Sequence, residues 1–323
     1  MRTPALYVIL VMMISGCGLK ASVIGEYYLN RNNIPEGIEA LETETRKHPC
    51  DAIALYYLGR LYLLNDQPDN GLNALRQAVE LSPDKADFHF WLGMAYAACR
   101  QPDMERKSYL KALSIRKHHI QSLICLGHNQ LENDEFHRAL TTYSTVLDRW
   151  PECPDALFNR ALILKRLGRT AEEQQSWKAY LALYPSGSFA RTAVRHLNAS
   201  GNFDYRNVIA GNRTIPIKSV RFRPSTTEIE RDSRQGLDSI GEITVNDHLL
   251  QLHVVVYQKN NGALAEARAK SVKKYLFKKF PDISLHRIKV SWFSVPETIT
   301  LNSGFWSLDE SVHFIGIRKN RRI

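Results

Sequence analysis

The chain has 323 residues, of which 44% are hydrophobic and 24% are charged. These values are typical of globular proteins and exclude a disordered or collagen-like chain. The length suggests roughly two domains. The net charge is +10, and most of the excess of Lys and Arg lies after residue 214. A basic C-terminal part predicts an anionic neighbour, which is cell wall, lipid head groups, an acidic protein or nucleic acid.

The N-terminal segment has the pattern of an export signal. Arg2 precedes an apolar run from Ala5 to Ile14, which is too short to remain as a membrane-spanning helix. Two small residues and a cysteine, Ser15-Gly16-Cys17, follow this run. The segment resembles the lipobox of bacterial lipoproteins. The resemblance implies that residues 1–17 are a lipoprotein signal peptide with the lipobox cysteine, and that Cys17 is lipidated.

The lipobox resemblance also implies a location. Cys17 would carry acyl chains on its thiol and its amine, and several chains together anchor a protein stably. In this family, an Asp directly after the lipidated cysteine keeps the protein at the inner membrane. Residue 18, which follows Cys17, is Gly. We therefore expect a lipid-anchored protein at the periplasmic face of the outer membrane. The alternative is an ordinary signal peptide in which Cys17 occurs by chance.

Residues 18–197 carry a repeat with a period of 34 residues. A small residue returns at this spacing at Gly25, Gly59, Gly93, Gly127 and Ala161. The segment 52–85 has the clearest set of positions: Leu55, Leu58, Gly59, Tyr62, Gly71, Leu75, Ala78 and Pro83. These positions resemble the tetratricopeptide repeat (TPR). The resemblance implies two antiparallel helices in each repeat and a solenoid built from stacked repeats.

We predict five repeats followed by a capping helix. Each repeat buries its apolar face only against its neighbours, so the array is predicted to be an all-α solenoid. The repeats are 18–51, 52–85, 86–119, 120–153 and 154–187, and the capping helix runs from Ser188 to Leu197.

Four cysteines follow Cys17 in the chain. An export compartment permits disulfides, and four cysteines allow three full pairings among which the sequence does not choose. Their predicted places, on helix ends and loops that lie apart, favour thiols. Their spacings fit no zinc pattern, so no metal site is predicted. These cysteines are Cys50, Cys99, Cys125 and Cys153.

The TPR resemblance implies a partner-binding groove lined by the first helix of each repeat. The expected lining is apolar and aromatic with a few basic or polar points, and the basic, Asn-rich pattern of chaperone-tail clamps is absent. We expect the groove to take an apolar or amphipathic peptide segment. Alternatively, some of these side chains lie between neighbouring helices of the array and contribute to packing instead of binding. The candidate residues are Tyr56, Arg60, Phe90, Met94, Ile124, Phe158 and Leu162.

After the repeats the periodicity changes. Residues 198–214 are rich in Asn, Gly and polar side chains and are predicted to be a linker. Residues 215–323 show the order βαβαββ, which predicts a small α/β sandwich. The first strand is predicted over 215–224, the first helix from Ser225 to Glu242 and the second helix from Leu264 to Phe280.

Several residues of this second domain resemble the OmpA-like C-terminal domain. Val220-Arg221-Phe222 matches its first strand, and Leu264-Ala265-Glu266-Ala267-Arg268-Ala269 matches the start of its second helix. The resemblance implies a domain that binds peptidoglycan, with an Asp and an Arg holding diaminopimelate. Only the Arg carries over, as Arg268. Where the family has Gly-His-Thr-Asp, this chain has Val256-Tyr257-Gln258-Lys259.

The missing Asp leaves two interpretations of Arg268. In the first, Arg268 still contributes to peptidoglycan binding, but specific recognition is weakened because the other ligand is lost. In the second, Arg268 pairs with Glu266, Asp282 or another local acid.

The sequence contains no recognisable catalytic constellation. The motifs GxSxG and HExxH and a glycine-rich phosphate loop are absent. His118-His119 has no ligand-spaced partner and is predicted to be a solvated turn. We predict a protein that is not an enzyme and uses no cofactor, and the export signal argues against nucleic acid as a partner.

Two functions fit these expectations, and a remoter third is a hydrolase regulator that presents a wall enzyme through the TPR groove. The first is an outer-membrane lipoprotein that serves as a scaffold or assembly factor of a cell-envelope machine, a secretion system or pilus, and binds a protein partner through the TPR groove. The alternative is a peptidoglycan-anchoring lipoprotein whose OmpA-like domain holds the cell wall while the TPR array acts as a spacer.

Overall fold

The computed structural model describes residues 17–318. The predicted signal peptide therefore lies outside the described residues, apart from the backbone of Cys17. Residues 17–199 form eleven α-helices joined by short turns, which confirms the predicted helical array. Their bounds are α1 Cys17–Arg31, α2 Ile34–Lys47, α3 Ala52–Leu64, α4 Pro68–Leu81, α5 Ala86–Ala98, α6 Pro102–Ile115, α7 Ile120–Glu132, α8 Phe136–Arg149, α9 Pro154–Arg166, α10 Thr170–Leu183 and α11 Gly187–Ala199.

The chain forms two compact units that meet in sequence at Trp150 and Pro151. The first unit contains α1 to α8, which are two helices for each of the first four predicted repeats. The second contains α9 and α10 of the fifth repeat, the capping helix α11 and the mixed sheet region that follows.

The turn inside each repeat has a constant backbone geometry. One residue after each first helix adopts a left-handed conformation, with φ between 52° and 69°. The next N–H donates to the carbonyl five residues earlier, as between Gln67 N and Tyr62 O at 2.9 Å. This is the Schellman arrangement that ends helices. The left-handed residues recur every 34 positions, at Asn32, Asp66, Arg100, Asp134 and Gly168.

In the second, third and fourth repeats, the two helices approach each other where a glycine of the first helix faces a large residue of the second. A Cβ atom on Gly93 would lie 2.4 Å from Tyr109 Cε1, and one on Gly127 would lie 2.8 Å from Tyr143 Cζ. No substituent fits there without displacing the ring, so the glycines set the helix separation. The large residues are at most 1% exposed and share the 34-residue period: Leu41, Leu75, Tyr109, Tyr143 and Trp177.

Residues 205–318 form a small domain of strands and helices. Five strands make one mixed sheet in the order β2-β1-β7-β3-β4, and β5 and β6 form a separate hairpin. Strand β7 lies between β1, to which it is parallel, and β3, to which it is antiparallel. The elements are β1 Tyr205–Ala210, β2 Arg213–Lys218, α12 Arg234–Asn246, β3 Leu250–Gln258, α13 Gly262–Lys279, β4 Ile288–Phe293, β5 Glu297–Leu301, β6 Gly304–Leu308 and β7 Glu310–Arg318.

Helices α12 and α13 cover one face of this sheet, and the hydrophobic core of the domain lies between the helices and that face. Alternate residues of the central strand β3 are at most 1% exposed, as a half-covered strand requires. They pack against the apolar sides of both helices. The core includes Leu252, Val254 and Val256 of β3, Phe314 of β7, Leu237 and Ile240 of α12, and Ala269, Val272 and Leu276 of α13.

The predicted βαβαββ order is present, with three corrections. The linker predicted over 198–214 contains β1, because Tyr205, Val208 and Ala210 are buried among polar neighbours that hide the strand pattern. The first strand ends at Lys218, and the next helix begins at Arg234 instead of Ser225. The hairpin of β5 and β6 was not predicted from the sequence.

Candidate functional site

The predicted groove residues of the first unit lie on α3, α5 and α7. Tyr56 and Phe90 are 9% and 8% exposed, so they contribute mainly to contacts between helices. The Tyr56 ring stacks on Phe88 with centroids 4.6 Å apart, and Phe90 contacts Trp91 edge to face at 5.5 Å. The Tyr56–Phe88 pair stabilises the packing of adjacent repeats, whereas Phe90 and Trp91 are neighbours on α5.

Arg60 is the basic point of this surface, and it is half-buried. Its guanidinium carbon lies 4.6 Å from the centre of the Trp91 ring and 5.3 Å from that of Tyr56. Arg60 Nη1 donates a hydrogen bond to the Tyr56 hydroxyl at 3.2 Å. Burial raises the pKa of Tyr56 to about 12, although Arg60 lowers it. The hydroxyl is therefore neutral and accepts the bond.

Met94 and Ile124 are half-buried and continue the apolar part of the surface. The Tyr109 hydroxyl donates to Met94 Sδ at 3.4 Å, and Cys125 Sγ lies 3.9 Å from the same sulfur. Cys50, Cys99, Cys125 and Cys153 are thiols in the structure, as the sequence favoured.

The prediction of a solvated turn at His118-His119 is wrong for His119, which is 2% exposed. His119 Nδ1 accepts from Ser122 N at 3.2 Å and caps α7, while Nε2 lies 3.0 Å from Asp87 Oδ1. Burial raises the pKa of Asp87, but bonds from His119 and Arg116 outweigh it and lower the pKa below 3.8. The sequence signal for this cap was the position of His119 directly before an apolar helix.

Phe158 and Leu162 belong to the second unit, on α9, and both are half-buried. The Phe158 ring meets Trp177, Tyr180 and Phe189 edge to face, with centroids 5.0 to 5.4 Å apart. Phe189, on the capping helix, is 62% exposed. This aromatic cluster therefore joins the fifth repeat to its cap and leaves one ring accessible.

The C-terminal domain has a pocket of about 380 Å³ near Arg268. It exists because β1 and β7 pair at one register position only, Ala210 with Gly316. Residues at the opposite ends of both strands line the pocket, together with Tyr257 and Phe222.

Arg268 is 1% exposed, and its donors are used within the domain. Nε donates to Thr226 O at 2.9 Å, and Nη1 donates to Glu310 Oε2 at 2.8 Å and to Gln258 Oε1. Nη2 contacts Arg223 O at 3.4 Å, and the guanidinium lies over the Phe222 ring. The acid that pairs with Arg268 is thus Glu310; Glu266 pairs with Lys270 instead.

The other charges around the pocket are also paired. Arg206 makes two hydrogen bonds to Glu297, at 2.7 and 2.9 Å, and Arg221 pairs with Asp204. Burial raises the pKa of Glu297, but Arg206 outweighs it and lowers the pKa below 4.5. Lys259, at the position where the sequence predicted that a wall-binding Asp is missing, pairs with Asp309 at 3.2 Å.

Within residues 17–318 no group of three or more His, Cys, Asp or Glu side chains is placed to hold a metal ion. Over the same residues, no helix combines the length and the apolar character needed to cross a membrane.

The contacts of Arg268 predict a structural role. Arg268→Ala removes a buried guanidinium that donates to the Thr226 carbonyl, Gln258 and Glu310, so it should lower the free energy of unfolding by about 2–3 kcal/mol. The ion pair itself adds little, because Glu310 is 52% exposed. The matched control is Lys270→Ala, at an exposed position on the same helix. This variant should change the free energy of unfolding by no more than about 0.5 kcal/mol. Chemical unfolding followed by circular dichroism measures both; equal stability of the two variants would contradict this role.

Comparison with known proteins supports the helical assignment. The tetratricopeptide repeat family model matches residues 23–70, 65–117 and 126–188. The photosystem I assembly protein Ycf3 of Synechococcus sp. (strain WH7803) is 35% identical over 77 residues, which are 24% of this chain and 44% of Ycf3. The chain thus spans less than half the length of this curated relative.

Two solved structures share the helical fold. PilW, a widely conserved type IV pilus biogenesis factor, has a TM-score of 0.51 at 15% identity, covering 57% of this chain and 87% of PilW. PilF of Pseudomonas aeruginosa has a TM-score of 0.50 at 14% identity, covering 57% and 86%. Identities this low show the fold alone. The match of the family model identifies residues 23–117 and 126–188 of this chain as tetratricopeptide repeats.

Proposed function

We propose that this protein is an outer-membrane lipoprotein that serves as a scaffold or assembly factor of a cell-envelope machine, and that it binds a protein partner through its TPR repeats. The observation that carries the proposal is the half-buried surface of Arg60, Trp91, Met94 and Ile124 on successive first helices. PilW, a pilus biogenesis factor, shares this fold, which makes a pilus or a secretion system our first choice of machine.

The chemistry of this surface suits a peptide segment with apolar side chains. Half-buried apolar groups gain about 25 cal/mol for each Å² that a partner removes from water. Tyr56 and Phe90 lie beneath and hold the surface in place through their ring contacts. We propose no catalytic role and no cofactor, because a TPR fold serves protein interaction.

We predict that photo-crosslinking in the native host will detect a partner at this surface. With p-benzoyl-phenylalanine in place of Trp91 or Ile124, we expect adducts of the same defined mass, since both side chains lie on first helices. The controls are Arg76 and Lys111, which are exposed on second helices. Adducts that form equally at the control positions, or no adducts at all, would contradict a partner at this surface.

The proposed lipid anchor is on Cys17. Helix α1 begins at this residue, so the first repeat would lie close to the membrane surface. Cys17→Ser should move the protein from the membrane fraction to the soluble fraction and abolish labelling with radioactive palmitate. Cys50→Ser, at an exposed thiol, should change neither result. Membrane association that persists in Cys17→Ser would refute the anchor.

The second candidate function is peptidoglycan anchoring by an OmpA-like domain, with the repeats as a spacer. The pocket that Arg268 lines favours it. The bonds of Arg268 weigh against it, because they use four of its five donors and a wall ligand would have to displace Glu310 or bind through the more exposed Arg221. We therefore rank partner binding first.

Sedimentation with purified sacculi separates the two functions. We expect the full-length protein in detergent to sediment with sacculi at low salt and to stay in the supernatant at physiological salt. Its main attraction to the wall is surface charge, which salt screens. Arg221→Ala tests the pocket without disturbing Arg268, and Arg231→Ala is an exposed control outside the pocket. Salt-resistant binding that falls in Arg221→Ala alone would favour the anchor.

A further inference from the structure

We infer that the TPR surface recognises an acidic residue, Asp or Glu, set within the apolar segment of the partner, and that Arg60 is the residue that binds its carboxylate. This inference rests on the proposed partner-binding function and specifies the chemistry of the partner.

Arg60 has donors that its own protein leaves unused. An arginine carries five N–H groups, and the bond from Nη1 to the Tyr56 hydroxyl uses one of them. Arg60 Nε is buried, yet it makes no hydrogen bond to any residue of the described chain. A buried donor without an acceptor costs free energy. Nη2 also makes no hydrogen bond among the described residues, so its hydrogens remain for an acceptor that a ligand supplies.

The charge of Arg60 is also uncompensated. Among residues 17–318, no acidic side chain forms an ion pair with Arg60. Asp87 acts electrostatically on the neighbouring Tyr56, but both of its oxygens bond elsewhere, to Arg116 Nη2 at 2.9 Å and to His119 Nε2 at 3.0 Å. Glu26 acts electrostatically on the neighbouring Tyr57 and accepts a bond from its hydroxyl at 2.9 Å, but within the described residues it forms no ion pair with Arg60 either. The Arg60 guanidinium therefore has no carboxylate bonded to it before a partner binds.

The guanidinium is held in place before a ligand arrives. Trp91 lies under it at 4.6 Å, and Tyr56 and Tyr57 lie at 5.3 and 5.4 Å. Stacking on an aromatic ring fixes the plane of an arginine and leaves its edge for two parallel bonds to a carboxylate. Less rotational freedom is lost on binding, so the affinity gain per bond is larger.

The surroundings select a carboxylate on an apolar peptide over a free anion. Met94 and Ile124, on the same row of first helices, are half-buried and apolar. A partner segment with an acid beside apolar side chains matches both features. A segment without the acid would remove water from Arg60 without giving its charge a partner, so such a segment binds more weakly.

Selection of a random phage-displayed peptide library on the full-length protein in detergent tests the inference. We expect wild type to enrich peptides with Asp or Glu next to apolar residues. Arg60→Gln should select apolar peptides without the acid. Arg76→Gln, the same change at an exposed position of the same repeat, should select as wild type does.

Binding of one selected peptide then gives the magnitude. Changing its acid to the amide should weaken binding to wild type at least about tenfold, and should leave binding to Arg60→Gln unchanged. If Arg60→Gln fails to fold, Arg60→Lys replaces it. Lysine keeps the charge but lacks the planar fork, so it should bind the acidic peptide about tenfold more weakly and the amide peptide equally.

The outcomes separate this inference from the proposed function. If Arg60→Gln, or Arg60→Lys in its place, keeps the full preference for acidic peptides, then Arg60 does not bind the carboxylate. Peptide binding by the repeats is not affected by that result. If wild type selects no peptide whose binding is lost in Trp91→Ala, the peptide-binding function itself fails, and the inference fails with it.

Discussion

The contact on which the repeat structure depends is that between a small residue on the first helix and a large residue on the second. Gly93 faces Tyr109 and Gly127 faces Tyr143, at distances that leave no room for a Cβ atom. The same contact joins Gly59 to Leu75, so it recurs every 34 residues in the second, third and fourth repeats. The left-handed turn residues follow the same period, so the chain reverses in the same way each time.

Packing and recognition share the first-helix residues in this array. Tyr56 and Phe90 were predicted to line a groove, and they are mostly buried between helices. Arg60, Met94 and Ile124 remain half-buried and accessible. The aromatic residues thus act beneath the surface: Tyr56 and Trp91 orient the guanidinium of Arg60, whose unused donors give the surface its preference for an acid.

Arg268 illustrates how a buried arginine can serve the fold of its own domain. Its guanidinium donates to Glu310, Gln258 and the carbonyl of Thr226. These bonds tie α13 to β3, β7 and the segment before α12. A pocket persists beside it, because β1 and β7 pair at one position only, and the charges around that pocket neutralise one another.

The sequence by itself determined the helical repeats, because a 34-residue period and the spacing of small and large residues depend only on local geometry and nearest-neighbour packing. It also predicted the two helices and central strands of the second domain. The tertiary structure decided what depends on distant residues: the strand within the expected linker, the burial of His119 by Asp87, and the pairing of Arg268 with Glu310. It also decided that, between residues 17 and 318, Arg60 has no acid paired with it, since an ion pair can join residues far apart in sequence and no local pattern specifies it.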